Sequence, residues 1–120
     1  MQYYCLIYLD EADFAAMTQA QRDAMVNAAL DSDDVLRRSA HYVDSDALKP
    51  PASATSVRVR NGKLWVTDGP FAETKEHLSG FIKIDARDLN EAIRIAADIP
   101  MARVGTIEVR PVEHLTRIET

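Results

Sequence analysis

The 120-residue sequence predicts a single domain, residues 1–120, of the α+β class, with helices against one face of an antiparallel sheet. Three observations carry that expectation. The N-terminal run is apolar on both faces of an extended chain. An Asn-Gly pair sits between two β-rich runs in mid-chain. Two capped amphipathic stretches each follow an extended segment, so the order reads strand, helix, short strand, hairpin, strand, helix, strand.

Tyr3 to Leu9 is the first strand. Alternation places Cys5, Ile7 and Leu9 on one face and Tyr4, Leu6 and Tyr8 on the other. Both faces are apolar or aromatic, the pattern of a strand covered on both sides. A helix covers one side. In so small a chain the expected cover on the other side is a partner subunit, which makes a homodimer the expected assembly. Asp10-Glu11-Ala12-Asp13 reads as a polar turn. Thr18-Gln19-Ala20-Gln21 has the form of a capping box, in which Thr18 accepts a free backbone N–H and Gln21 reaches back. Ala24, Met25, Ala28, Val35 and Leu36 continue an apolar helical stripe. Asp31-Ser32-Asp33-Asp34 interrupts it with residues that prefer caps. The expectation is therefore a helix from about Thr18 to Leu30 and a second piece from about Ser32 to Arg38, kinked or restarted at Ser32.

Ala40 to Val43 is a short strand candidate. Ala47 to Ala54, which contains Pro50-Pro51, is extended but excluded from a sheet centre, because proline donates no ladder hydrogen bond. Thr55 to Arg60 and Lys63 to Asp68 flank Asn61-Gly62, a type I′ hairpin signal. A two-residue loop pairs Arg60 with Lys63, Val59 with Leu64, Arg58 with Trp65 and Val57 with Val66. Val57, Val59, Leu64 and Val66 then share one face, expected inward. Arg58 and Trp65 share the other, where a guanidinium over the indole is one reading. Asp68 follows Leu64 and Val66 with the same period and joins the apolar face. Gly69-Pro70 turns the chain, and Phe71 is expected as an apolar anchor. Leu78 to Asp85 is a further strand, with Ile82 and Ile84 opposite in facing to Phe81 and Lys83. Asp88 caps a second helix, with Glu91 at the reciprocal position and a broad apolar face of Leu89, Ala92, Ile93, Ala96 and Ile99, ended by Pro100. The last strand spans about Gly105 to Val112, and the tail from Glu113 is polar.

The composition, 47% hydrophobic and 28% charged, is that of a globular protein, and the net charge of −5 argues against nucleic acid or an anionic membrane as a main partner. Cys5 is the one cysteine, which excludes an internal disulfide and suits a small buried hydrophobe. No Cys pair or His-x-x-x-His spacing suggests zinc. The start lacks a basic signal-peptide region and no run approaches the ~20 apolar residues of a membrane span, so a cytoplasmic location is expected.

The stretch Asp68-Gly69-Pro70-Phe71-Ala72-Glu73-Thr74-Lys75-Glu76, followed by Gly80-Phe81, resembles the signature of the DGPF proteins in the YCII-related family. The likeness extends upstream through Pro50-Pro51, Ala54-Thr55 and Val57 to Lys63, and downstream to Ile107 to Val112. The resemblance implies a ferredoxin-like fold paired as a dimeric α/β barrel, with sheets face to face. It implies small-molecule enzymes among the relatives. It also implies a regulatory link, since genes of such proteins often lie near extracytoplasmic-function sigma factors. In the enzymatic branch a His on the first helix pairs with an Asp. Thr18 to Arg38 contains no His, so that dyad is not carried over.

Asp68, Glu73 and His41 are the candidate catalytic residues. Asp68 has two readings: a general base in a pocket, or a cap that accepts backbone N–H groups after Pro70. Glu73 either faces the pocket or solvates the loop; Lys75 balances the acids. His41 lies between a helix and a pocket-side loop and is read either as an acid–base partner or as a half-exposed strand residue. His77 and His114 are expected at the surface. Oxygen-preferring ions are conceivable at Asp68, Glu73, Glu76 and His77, but acids cluster in many loops, and neither metal nor cofactor is expected. Arg58 and Arg60 are read as anionic-ligand contacts or, more plainly, as stacked on Trp65 and solvated; Tyr4 and Tyr8 line the space between two sheets or simply pack there. The function expected is a small-molecule binder or acid–base enzyme working by elimination or proton transfer. The alternatives are a non-enzymatic regulatory or adaptor module, and a scaffold whose signature is structural only.

Overall fold

A computed structural model describes residues 1–119. Strand β1 (Gln2–Asp10) runs down the middle of a four-stranded antiparallel sheet. It lies between β5 (Glu76–Asp85) and β6 (Thr106–Pro111), and β2 (Tyr42–Ala47) closes the other edge, giving the order β2-β5-β1-β6. Helix α2 (Gln19–Arg38) connects the central strand to the edge, and α3 (Leu89–Ala97) connects β5 to β6. This is the ferredoxin-like α+β arrangement, an open sheet rather than a closed barrel. A separate two-stranded hairpin, β3 (Thr55–Arg60) with β4 (Lys63–Asp68), is inserted before β5.

The core follows the expected alternation. Tyr3, Cys5 and Ile7 of β1 and Ile82 and Ile84 of β5 are buried beneath the helices, where Leu36, Ala92, Ala96 and Ile99 meet them. Ala92 and Ala96, one helical turn apart, carry almost no side chain, so their stripe sits close over the strands. Leu89 and Ile93 remain exposed, and the apolar face of α3 is narrower than its sequence suggests. On the other face of the sheet Tyr4, Leu6, Tyr8 and Phe81 are half-buried, with no second layer among the described residues. Burial pushes the Cys5 thiol up to about 11, which leaves it a protonated packing group at neutral pH.

Helix α2 is continuous where two pieces were expected. Thr18 accepts the Gln21 N–H at 3.1 Å and Gln21 accepts the Thr18 N–H at 2.9 Å, so the capping box forms as read. Within the acid run, Asp33 and Asp34 have partners outside the backbone. Asp33 accepts the Ser45 hydroxyl at 3.1 Å, tying the helix to β2, and Asp34 pairs with Arg37 at 2.8 Å. Arg37 and Arg38 in the last turn also suit the negative end of the helix dipole. The expected polar turn is instead a short helix, α1 (Glu11–Ala15), capped by Asp10, which accepts the Ala12 N–H at 2.9 Å. The Pro50-Pro51 stretch folds into one turn of 3₁₀ helix at Pro51–Ser53.

The hairpin has the predicted register, residue for residue, with Asn61 and Gly62 at φ 51° and 74° as a type I′ turn demands. Its burial differs. Val57, Val59, Leu64 and Val66 are 59–67% exposed, so the face expected inward has no cover. The cause is topological: β3 and β4 pair only with each other and project as an arm. The radius of gyration of 16.8 Å reflects this; a compact chain of this length is expected at about 14 Å. The cation–π pairs are Arg37 over Tyr42 at 4.2 Å and Lys83 over Tyr4 at 5.5 Å, rather than Arg58 over Trp65. Among the described residues no helix is long and apolar enough to cross a membrane.

Candidate functional site

The arm joins the body at the Asp68-Gly69-Pro70-Phe71 turn, which the conformation and two hydrogen bonds of Gly69 fix. Gly69 sits at φ 92°, a left-handed conformation that a side chain strains. Its N–H donates to the Ala54 carbonyl at 2.7 Å, and its carbonyl accepts the Ser56 hydroxyl at 2.9 Å. Beyond it, the Thr74 hydroxyl donates to the Glu76 carbonyl at 2.6 Å. The segment before the arm is held alongside β5 by the Leu48 N–H, which donates to the Ser79 carbonyl at 2.8 Å. Between the two segments lies an open cavity of about 420 Å³. Leu48, Pro50, Pro51, Pro70, Phe71 and Leu78 give it mainly apolar walls, and Lys49, Thr74, Glu76 and His77 supply polar groups.

Of the three candidates drawn from the sequence, His41 lies away from the motif that holds Asp68 and Glu73. Asp68 ends β4 opposite Thr55, shares the apolar face as expected, and is exposed with that face. Its carboxylate makes no hydrogen bond to a described group, so the cap after Pro70 does not form; the backbone of Gly69 does that work. Glu73 is exposed between the lining residues Ala72 and Thr74, and Lys75 is exposed beside it. His41 Nδ1 donates to the Asp85 carbonyl at 2.8 Å and lies 3.8 Å from Glu91. That contact is at the far end of β5 from Glu76, about 30 Å along a ten-residue strand. His41 thus belongs to the base of α3. There the Arg87 backbone N–H, at 3.0 Å, and then the Arg87 guanidinium hold the Glu91 carboxyl below the usual carboxylate range. Asp88 caps α3 as expected, while Glu91 reaches back to Arg87 rather than to the cap itself.

Phe71, expected as an apolar anchor, and His77, expected at the surface, take different places. Phe71 is 80% exposed and forms a cavity wall, not an anchor. His77 is half-buried rather than a surface residue, and neither ring nitrogen has a hydrogen-bond partner among the described residues although both are buried. A buried polar group left unpaired costs about 1–3 kcal/mol. The signal available in the sequence was the onset of β alternation at Glu76; the flanking charges argued the other way. Glu76 itself accepts the Thr106 hydroxyl at 2.8 Å, a link across to β6 that no local pattern shows. Among the described residues, no three His, Cys, Asp or Glu side chains come together to hold a metal ion.

Fold and site together define a small ferredoxin-like α+β protein with an inserted arm and a ligand-sized cavity at the arm's base. The chain belongs to the YCII-related domain family, whose family model matches residues 1–116. An uncharacterised protein of Rhizobium meliloti strain 1021 is 37% identical over 119 residues, spanning 92% of this chain and 91% of that relative.

Proposed function

We propose that the protein binds a small molecule in the cavity beside the Asp68-Gly69-Pro70-Phe71 turn and works as a homodimer. The observation that carries the binding reading is the cavity itself. Its 420 Å³ falls in the range of small-molecule sites, and its mainly apolar walls with a few convergent polar groups match their usual make-up. The half-buried aromatic face of the sheet supports the homodimer, because a second sheet would cover it. Acid–base chemistry on the ligand would fall to Glu73, the exposed carboxylate between the lining residues Ala72 and Thr74. A non-enzymatic regulatory or adaptor role has one observation of its own: Val26 and Leu30, one helical turn apart on α2, are both exposed, as a protein-contact stripe would be.

A thermal-shift screen of small aromatic and aliphatic acids and phenols tests the binding reading. At least one compound is expected to raise the melting temperature of the wild type. The shift is expected to vanish in Ala72→Trp, which fills the cavity, to shrink in His77→Gln, and to persist in Asp68→Asn. An equal shift in Ala72→Trp places binding elsewhere and overturns the reading, as does a library without a single stabilising compound.

A further inference from the structure

The polar groups that border the cavity at the arm's base differ in what they have left to offer a ligand. Five lining residues carry polar side chains: Lys49, Ser53, Thr74, Glu76 and His77. Two of these are hydroxyls whose single protons are already placed. Ser53 donates to the Pro50 carbonyl at 2.6 Å, and Thr74 donates to the Glu76 carbonyl at 2.6 Å. Each keeps lone pairs, which accept but do not donate. The Glu76 carboxylate is drawn away from the cavity. It accepts the Thr106 hydroxyl at 2.8 Å, and Thr106 lies in β6, beyond β1, whereas Leu48 flanks the opposite side of β5. Both ring nitrogens of His77 are buried, so a solute in the cavity does not reach them.

Lys49 is the exception. It is exposed, it is the one Lys or Arg of the lining, and its ammonium has no hydrogen bond or ion pair among the described residues. A lysine stem lies readily along apolar surface while its charge stays at the rim. The ligand group that matches an unpaired ammonium is an anion, and the pairing gains strength where apolar walls exclude part of the screening water. Leu48, Pro50, Pro51, Pro70, Phe71 and Leu78 are those walls, and they suit a hydrocarbon body. A dianion would find no second cation in the lining. An amine would meet the ammonium as a like charge. A phenol stays protonated at neutral pH and brings no charge, whereas a carboxylic acid is ionised.

We propose that the cavity takes a small apolar carboxylic acid in its ionised form. The hydrocarbon body lies against the proline and phenylalanine walls, and the carboxylate pairs with the Lys49 ammonium. The inference rests on the binding reading above and names its ligand class; Lys49 is then the residue that selects an acid over a neutral or cationic molecule of the same shape.

Calorimetric titration of the full chain with matched probes tests it. Benzoate, cyclohexanecarboxylate and hexanoate are each compared with the amide and the amine of the same body. At least one carboxylate is expected to bind at least about fivefold more tightly than its amide, with its amine weaker still. That preference is expected to shrink as salt is raised. Lys49→Met is expected to bring the carboxylate to the level of the amide, and Lys49→Arg to keep the preference. Lys75→Met, at an exposed cation outside the lining, is expected to leave it unchanged. Amides or amines that bind as well as the acids overturn the assignment, as does a preference that survives Lys49→Met or falls equally in Lys75→Met. In those cases loss of binding in Ala72→Trp shows that the cavity reading stands without it. A wild type that binds none of the probes also overturns the assignment, and the wider screen above decides the binding reading separately.

Discussion

Strands β1 and β5 and strands β3 and β4 are written in the same alternating apolar code, yet they end in opposite environments. Along β1 and β5 alternate residues are buried, down to 0% exposure at Cys5 and Ile84. In β3 and β4 every residue but Ser56 is exposed, and Val57, Val59, Leu64 and Val66 stay in contact with solvent. The difference does not lie in the strands. Both pairs have antiparallel registers and sensible connections. It lies in the next element of the chain: β1 and β5 each lead into a helix that folds back over them, whereas β3 leads directly into β4 and the chain returns to the sheet with nothing to lay on the hairpin. A local pattern states that a face wants cover; only the connectivity provides it.

The strongest way to break this comparison is to truncate a residue on each side of it. Ile84→Ala is expected to lower unfolding stability by about 2–5 kcal/mol, the usual cost of emptying a fully buried site. Leu64→Ala, measured at concentrations where chains are single, is expected to fall within about 0.5 kcal/mol of the wild type. Urea midpoints for both read the result. Comparable losses would mean that the arm folds as part of the body and would end the distinction.

A smaller effect sharpens the boundary between the two parts. Gly69→Ala forces a side chain into the left-handed conformation at the arm's base, at a local cost of about 1–3 kcal/mol. Faster amide exchange is expected across residues 55–68, with the exchange of β1 and β5 unaltered. If β5 loosens as well, the turn supports the sheet and not the arm alone.

The smallest expected effect belongs to the body alone. The Glu91 carboxyl is held below its ordinary range by the Arg87 N–H and guanidinium, so the folded state favours its ionised form. That contribution is present above the ordinary carboxylate pKa and is lost as the pH falls through the lowered folded value. Melting temperatures measured from neutral to acid pH are expected to decline less steeply in Glu91→Gln than in the wild type, while the arm's exchange is unaffected. Parallel pH curves for the two proteins would show that Glu91 contributes nothing at this site.

Much of the body was legible because its determinants are local. The capping box at Thr18, the cap at Asp88, the hairpin register about Asn61-Gly62 and the facing of Cys5, Ile7, Ile82 and Ile84 all rest on interactions within a few residues or on strict alternation. The misreadings share the opposite cause. In α2, Asp33 of the acid run meets Ser45, twelve residues on. The short helix at Glu11 depends on one cap among several possible for an acidic turn. The candidate site was half legible. The Asp68 to Glu76 stretch was located, and its fixed turn is real. Phe71 and His77 changed roles because the segment that faces them, Leu48 to Ala54, is distant in sequence.

The sequence by itself determined the α+β class, the order of the elements, the cap residues, the hairpin register and the family. Each of these rests on side-chain periodicity, turn chemistry or a contiguous motif, which act over short stretches of chain. Only the tertiary structure decided that the hairpin stands free, that His41 sits at the opposite end of β5 from the motif, and that a cavity opens between the Pro50-Pro51 turn and His77. Those are questions of which distant surfaces meet, and loop connectivity and the close packing of helix on sheet answer them.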